Sequence, residues 1–172
     1  MIEAEARGRI VRGLRSASGA SRRMRRGTIA LQLPHFRALL PEFDAWFDGP
    51  LHRGTLNVAV PGRSVEVRQP SIRVPDVRWE RDTAENFYLS PCVLRFSGKD
   101  YRGLIYIPDP ETKPGGLPVG RVLEVLTSRV PFIRYGSPVT IAYDAAAIGL
   151  VRQRRAPASA DGYGQHRRSS RR

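Results

Sequence analysis

From Thr55 onward, Pro and Gly cut the chain into short apolar runs, and that punctuation restricts it to modest strands joined by turns. Pro61-Gly62, Ser97-Gly98-Lys99-Asp100 and Gly136-Ser137-Pro138 each interrupt a β-type run. Pro108–Gly116 carries three prolines and two glycines in nine residues, so it is neither helix interior nor central strand. It is a loop at a strand end, a common place for function. Between the breaks, Thr55–Val60, Ser64–Arg68, Ser71–Val74, Asn86–Phe96, Tyr101–Ile107 and Val139–Tyr143 read as strands, the last as the terminal one. Leu104–Ile107 is nearly continuous in apolar residues, which suits a buried strand. Arg9–Leu14 and Thr28–Leu33 read as two further strands joined by a long Arg/Ser/Gly hairpin loop. Val119–Leu126 alternates imperfectly and fits either a strand or a short helix.

His35–Phe47 follows another period. Phe36, Leu39, Leu40, Phe43, Trp46 and Phe47 recur at steps of three and four, which is helical spacing. Pro41 disfavours an unbroken helix, so the segment is one helix or two short ones, with Asp44 and Asp48 on the solvent side. Many short strands, frequent turns and one helical insertion predict a mainly β domain built as a small barrel. With 172 residues, one domain over residues 1–151 is expected. Residues 152–172 lack periodic apolar residues and are expected to form a disordered basic tail.

The net charge of +13 is unevenly spread. Residues 7–26 hold eight Arg and no acid, residues 152–172 carry +6, and everything else totals −1. A near-neutral body does not suit nucleic-acid binding over the folded surface, beyond weak, salt-sensitive attraction by the tail. Cys92 is the only cysteine, which excludes an intrachain disulfide and a Cys-based zinc site. His35, His52 and His166 show no ligand spacing. No apolar run approaches the ~20 residues of a membrane span, and the N-terminus has acids where a signal peptide is basic, so a soluble cytoplasmic protein is expected. No Walker loop or Ser/His/Asp grouping stands out.

Gly54-Thr55-Leu56-Asn57-Val58 is the most informative motif. On a strand, Thr55 and Asn57 share one face while Leu56 and Val58 take the other. A hydroxyl and an amide oxygen side by side are hard donors that suit Mg²⁺, and they equally suit a polar pair on a solvated sheet face. Glu124, alone among Val122, Leu123, Val125 and Leu126, either faces solvent or accepts hydrogen bonds from ligand hydroxyls.

Taken in order, Gly8-Arg-Ile-Val-Arg-Gly13-Leu14, the amphipathic segment, Gly54–Val58, the Pro-rich loop with Thr112, and Val122-Leu-Glu124-Val-Leu126 resemble the archaeal-type CTP-dependent riboflavin kinases. The resemblance spans about residues 8–143. It implies a six-stranded cradle-loop β-barrel that transfers a phosphoryl group from CTP to riboflavin, forming FMN, with Mg²⁺. By the same resemblance Thr55 and Asn57 hold the metal, Thr112 and Glu124 contact the flavin, and Gly13, Leu14, Gly19 and Arg129 belong to the nucleotide site. The family's compact Gly-x-Gly turn is replaced here by Arg15–Gly27, whose arginines suit phosphate as well as they suit a solvated loop. A non-catalytic flavin- or nucleotide-binding module on the same barrel is the alternative.

Overall fold

A computed structural model describes residues 3–13, 28–80, 83–112 and 122–152. In chain order the elements are β1 (Glu3–Val11), α1 (Thr28–Leu39), a short 3₁₀ turn (Phe43–Trp46), β2 (Leu56–Ala59) and β3 (Arg63–Val67). Then follow β4 (Ile72–Glu80), β5 (Thr83–Phe96), β6 (Lys99–Pro108), β7 (Leu123–Thr127), β8 (Pro138–Asp144) and β9 (Ile148–Arg152). The strands β5-β6-β7-β2-β1-β8 pair antiparallel in that order, and β8 returns to β5, closing a six-stranded barrel. The mainly β class, the barrel and the short helical insertion agree with expectation.

Closure is possible because β5, at 14 residues, serves two partners along one edge. Its first part pairs with β4 from Thr83 to Leu89, and Cys92–Arg95 pair with β8. Pro91 lies in the gap between these partners, where a residue without an N–H is tolerated. The strands β3 and β9 form a separate two-stranded ribbon.

The alternation of the strands divides the apolar residues into two layers. Ile10, Val58, Leu94, Ile105, Leu123 and Ile141 fill the barrel interior. Leu104, Tyr106 and Leu126 point outward and pack with Ile29, Phe36 and Phe43 of the helical segment. The continuous run in β6 is therefore buried on both faces, Ile105 and Ile107 within the barrel and Leu104 and Tyr106 under α1.

Thr28–Leu33 is not a strand, and no hairpin joins it to β1. It opens α1, and the inward residues are Ile29, Gln32 and Phe36, spaced three and four apart. The alternation of Ile29, Leu31 and Leu33 is too short to outweigh that helical face. Pro34 sits within α1 on its exposed side, and the helical segment breaks at Pro41, leaving the 3₁₀ turn beyond it. The partner strands of β1 are β2 and β8. Of the segment Val119–Leu126, residues 119–121 lie outside the described residues, and the strand alternative holds from Leu123 onward. Val139–Tyr143 is not terminal, because β9 follows and extends to Arg152, one residue into the expected tail; residues 153–172 lie outside the described residues.

Phe36 is fully buried, with its ring 5.5 Å from Phe43 and 5.4 Å from Phe87 between centroids. Phe36→Ala is expected to destabilise the protein by about 3–5 kcal/mol, because the cavity lies between α1 and the sheet and neither can collapse fully. Urea denaturation followed by far-UV circular dichroism measures it, and a loss under about 1 kcal/mol would contradict this packing.

Candidate functional site

Asn57 stands in the middle of a row across four strands: Val11 of β1, Asn57 of β2, Glu124 of β7 and Tyr106 of β6 are successive register partners. Val58 and Leu56 turn inward to the barrel core, so Asn57 and Thr55 face outward. Glu124, between inward-facing Leu123 and Val125, shares that outer face. Thr55 Oγ1 donates to Glu124 Oε2 at 3.0 Å, and Asn57 Nδ2 donates weakly to the Thr55 carbonyl at 3.4 Å. All three side chains are half-buried. Residues that the resemblance assigns separately to metal and flavin are thus neighbours, and Glu124 meets another protein group rather than solvent alone.

Gly13 completes this group. A Cβ there would stand 2.5 Å from Asn57 Nδ2 and 2.9 Å from Asn57 Oδ1, so the Asn57 side chain would have to move. The chain leaving β1 therefore lies directly against the amide, and a side chain at this position would push the Asn57 amide aside. Leu14 and Gly19, the other glycine-turn candidates, lie outside the described residues together with the Arg15–Gly27 segment.

Tyr106 borders the group beneath α1. Its hydroxyl donates to Gln32 Oε1 at 2.9 Å, and both residues are buried. Burial, then the negative charge of Glu124, raises the Tyr106 pKa well above the ordinary phenol value, so this hydroxyl stays protonated. Gln32 was not anticipated as a core residue, because nothing in a single sequence separates a satisfied buried amide from a surface one.

Thr112 does not join Thr55, Asn57 and Glu124 through any described contact. Its Oγ1 accepts from the Asn86 N–H at 2.9 Å and donates to the Asp109 carbonyl at 3.4 Å, closing the turn after β6. Asp109 is the centre of that turn: its carboxylate accepts from Asn86 Nδ2, the Tyr88 hydroxyl and the Glu111 N–H at 3.1–3.2 Å. Burial pushes the Asp109 carboxyl up, but these hydrogen bonds, with nearby Arg73, outweigh it and hold the pKa below the usual value. This network carried no signal in the sequence beyond an Asp between two prolines.

A cavity of about 430 Å³ opens at the barrel mouth on the other side of β2. Ile10 and Leu56 form its floor, His52 and Gly54 one wall, and Ser128–Val130 with Phe132–Tyr135, including exposed Arg129, the opposite wall. The walls are tied together, since the His52 N–H donates to the Thr127 carbonyl at 3.0 Å and Leu51 bridges Ser128. Gly54–Leu56 thus separates two features, the cavity and the outward oxygen group at Thr55.

The Thr55 hydroxyl and the Asn57 amide oxygen are hard donors that could hold a Mg²⁺ ion keeping the rest of its shell for water and phosphate, with the Glu124 carboxylate beside them. Among the described residues no three His, Cys, Asp or Glu side chains gather as an alternative centre. The buried Cys92 thiol is pushed up to about 12 by desolvation, so it is not a nucleophile at neutral pH. No described helix is long and apolar enough to cross a membrane. No family model and no curated protein matches the chain.

Two outcomes follow. Gly13→Ala is expected to displace the Asn57 side chain, moving the Asn57 amide resonances in a ¹H–¹⁵N spectrum while those of distant β4 stay in place; an unmoved Asn57 would refute the close approach. The lowered Asp109 pKa means that its stabilisation is full above the unfolded-state value near 4 and is lost as pH falls through the folded value. The melting temperature of wild type should therefore drop more steeply below about pH 4 than that of Asp109→Asn. Parallel pH profiles would show that the network does not bind the charged form preferentially.

Proposed function

We propose that this protein is a Mg²⁺-dependent phosphotransferase that moves the terminal phosphoryl group of a nucleoside triphosphate, CTP by the resemblance, to the 5′-hydroxyl of riboflavin, forming FMN. One observation carries the reading: Thr55, Asn57 and Glu124 share one face of two paired strands, with Gly13 packed against Asn57. Residues expected to serve metal, flavin and nucleotide, drawn from separate parts of the chain, form a single group. The closed six-stranded barrel is also the architecture that the resemblance implies.

Thr55 Oγ1 and Asn57 Oδ1 would hold the ion, which supplies charge neutralisation for the phosphates and the developing leaving group. Glu124 would accept hydrogen bonds from the polyol arm of the acceptor and so orient its hydroxyl. In the transfer, the hydroxyl oxygen bonds to the γ-phosphorus while the bond from that phosphorus to the bridging oxygen breaks. That electron pair remains on the nucleoside diphosphate, and the hydroxyl proton is released. No covalent enzyme intermediate is needed, because positioning and electrostatics would supply the rate.

The end of β1 links the two features. Ile10 lines the cavity, the Arg12 guanidinium lies 5.8 Å from the Tyr135 ring centre, and Gly13 touches Asn57. A donor lying along this end would set its ring in the cavity beside Arg129 and its phosphates at Thr55 and Asn57. Thr112 has its hydroxyl engaged in the Asp109 turn, so the acceptor site rests on Glu124.

Incubation with riboflavin, Mg²⁺ and each nucleoside triphosphate should yield FMN by chromatography with at least one donor, and chelation should abolish it. Thr55→Val and Asn57→Leu are expected to lower turnover at limiting Mg²⁺ by about 10–100-fold with little change in melting temperature. Retained riboflavin binding without FMN from any donor would make the protein a flavin-binding module instead.

A further inference from the structure

Phe132 is 95% exposed, and its backbone has φ +63°, a left-handed conformation that costs free energy in a bulky residue. Folding gains nothing from a ring left in water or from a strained backbone. Both features concern the wall of the cavity at the barrel mouth. Tyr135, 60% exposed, lines the same wall three residues later, with Arg12 against its ring.

The charge of the cavity narrows its occupant. Arg129 and Arg134 line it, and no Asp or Glu does so among the described residues. An apolar floor of Ile10 and Leu56, the exposed rings of Phe132 and Tyr135 and a cationic rim suit a flat ring attached to an anion. We infer that Phe132 and Tyr135 clamp the nucleobase of the triphosphate donor, with Phe132 held in its strained backbone so that its face meets the ring. This rests on the donor reading above and adds the residues that grip the ring. Base–aromatic stacking tolerates any base, because every base presents a π-face.

Clamping makes a prediction that an ordinary structural role does not: relieving the strain should stabilise the fold and weaken the ligand together. Calorimetry with Mg·CTP, Mg·ATP and inorganic triphosphate would be run on wild type, Phe132→Gly, Phe132→Asn and Phe132→Trp. Gly and Asn both accept left-handed backbone, so both variants should melt at or above the wild-type temperature. Both should bind each nucleotide about tenfold or more weaker, with triphosphate affinity unchanged, and Phe132→Trp should retain wild-type affinity. Nucleotide affinities unchanged in the Gly and Asn variants would overturn the clamp. If wild type forms FMN and the donor KM is the same in Phe132→Gly, the clamp fails and the kinase reading stands. If nucleotide binding depends on Phe132 but no FMN forms, the clamp stands and the kinase reading fails. A wild type that binds no nucleotide overturns both.

Discussion

The pairing of Cys92–Arg95 with Thr140–Tyr143 turns an open sheet into a barrel, and the placement of everything else depends on that closure. A closed wall gives each strand an inside and an outside. Ile105, Val125 and Ile141 bury themselves against one another without a second sheet, which leaves the outer face of the same strands available for other work. Over β5 and β6 the outer face is covered by α1, and over β2 and the start of β7 it carries Thr55, Asn57 and Glu124. An open sheet would need its outer row for hydrophobic cover.

The boundary between covered and polar surface is held by one buried hydrogen bond. Tyr106 turns its ring to Phe87, 5.3 Å between centroids, and its hydroxyl to Gln32, so neither polar group is left unpaired under the helix. Glu124 is its register partner on β7 and meets Thr55 on the other side. The helix, the sheet and the oxygen group are therefore joined through contiguous side chains. The chain leaves this surface at Gly13, against Asn57, and is next described at Thr28, one residue ahead of Ile29 in the layer that holds Tyr106.

Much of this arrangement was legible from residue order. Pro and Gly located the strand breaks, and the apolar run of β6 announced burial on both faces. The shared face of Thr55 and Asn57 follows from the period of a strand alone. The illegible parts involve choices that only tertiary contact makes. Thr28–Leu33 obeys both periods over six residues, and the aromatic layer around Phe36 decides for a helix. Val139–Tyr143 looked final because Ile148–Arg152 is short, and its partner is β3, some eighty residues away. The bond between Thr55 and Glu124 spans 69 residues and depends on the β2–β7 register, which local sequence does not encode. Thr112 matched by position in the order of motifs, yet its hydroxyl is used by a turn.

Backbone strain supplies a different kind of information, because its cost has to be matched somewhere. Among the described residues, three non-glycine residues have positive φ: Asp76, Ser97 and Phe132. Ser97 and Gly98, at φ +50° and +73°, form the two-residue turn between β5 and β6, and the ten register pairs of that hairpin offset its cost. Asp76 sits at the irregularity between Val74 and Val77 in β4, where its N–H donates to Asn86 Oδ1 and its side chain pairs with Arg78. Phe132 differs from both, since a Phe tolerates left-handed backbone worst of the three and its ring is almost wholly in water. Its neighbours are firmly held: Val130 is buried, and the Arg134 N–H donates to Ser137 Oγ at 3.1 Å. Rigid flanks keep a strained residue from relaxing. The fold therefore maintains an exposed aromatic face at the cavity mouth against its own local preference, the face that the inferred nucleobase contact would use.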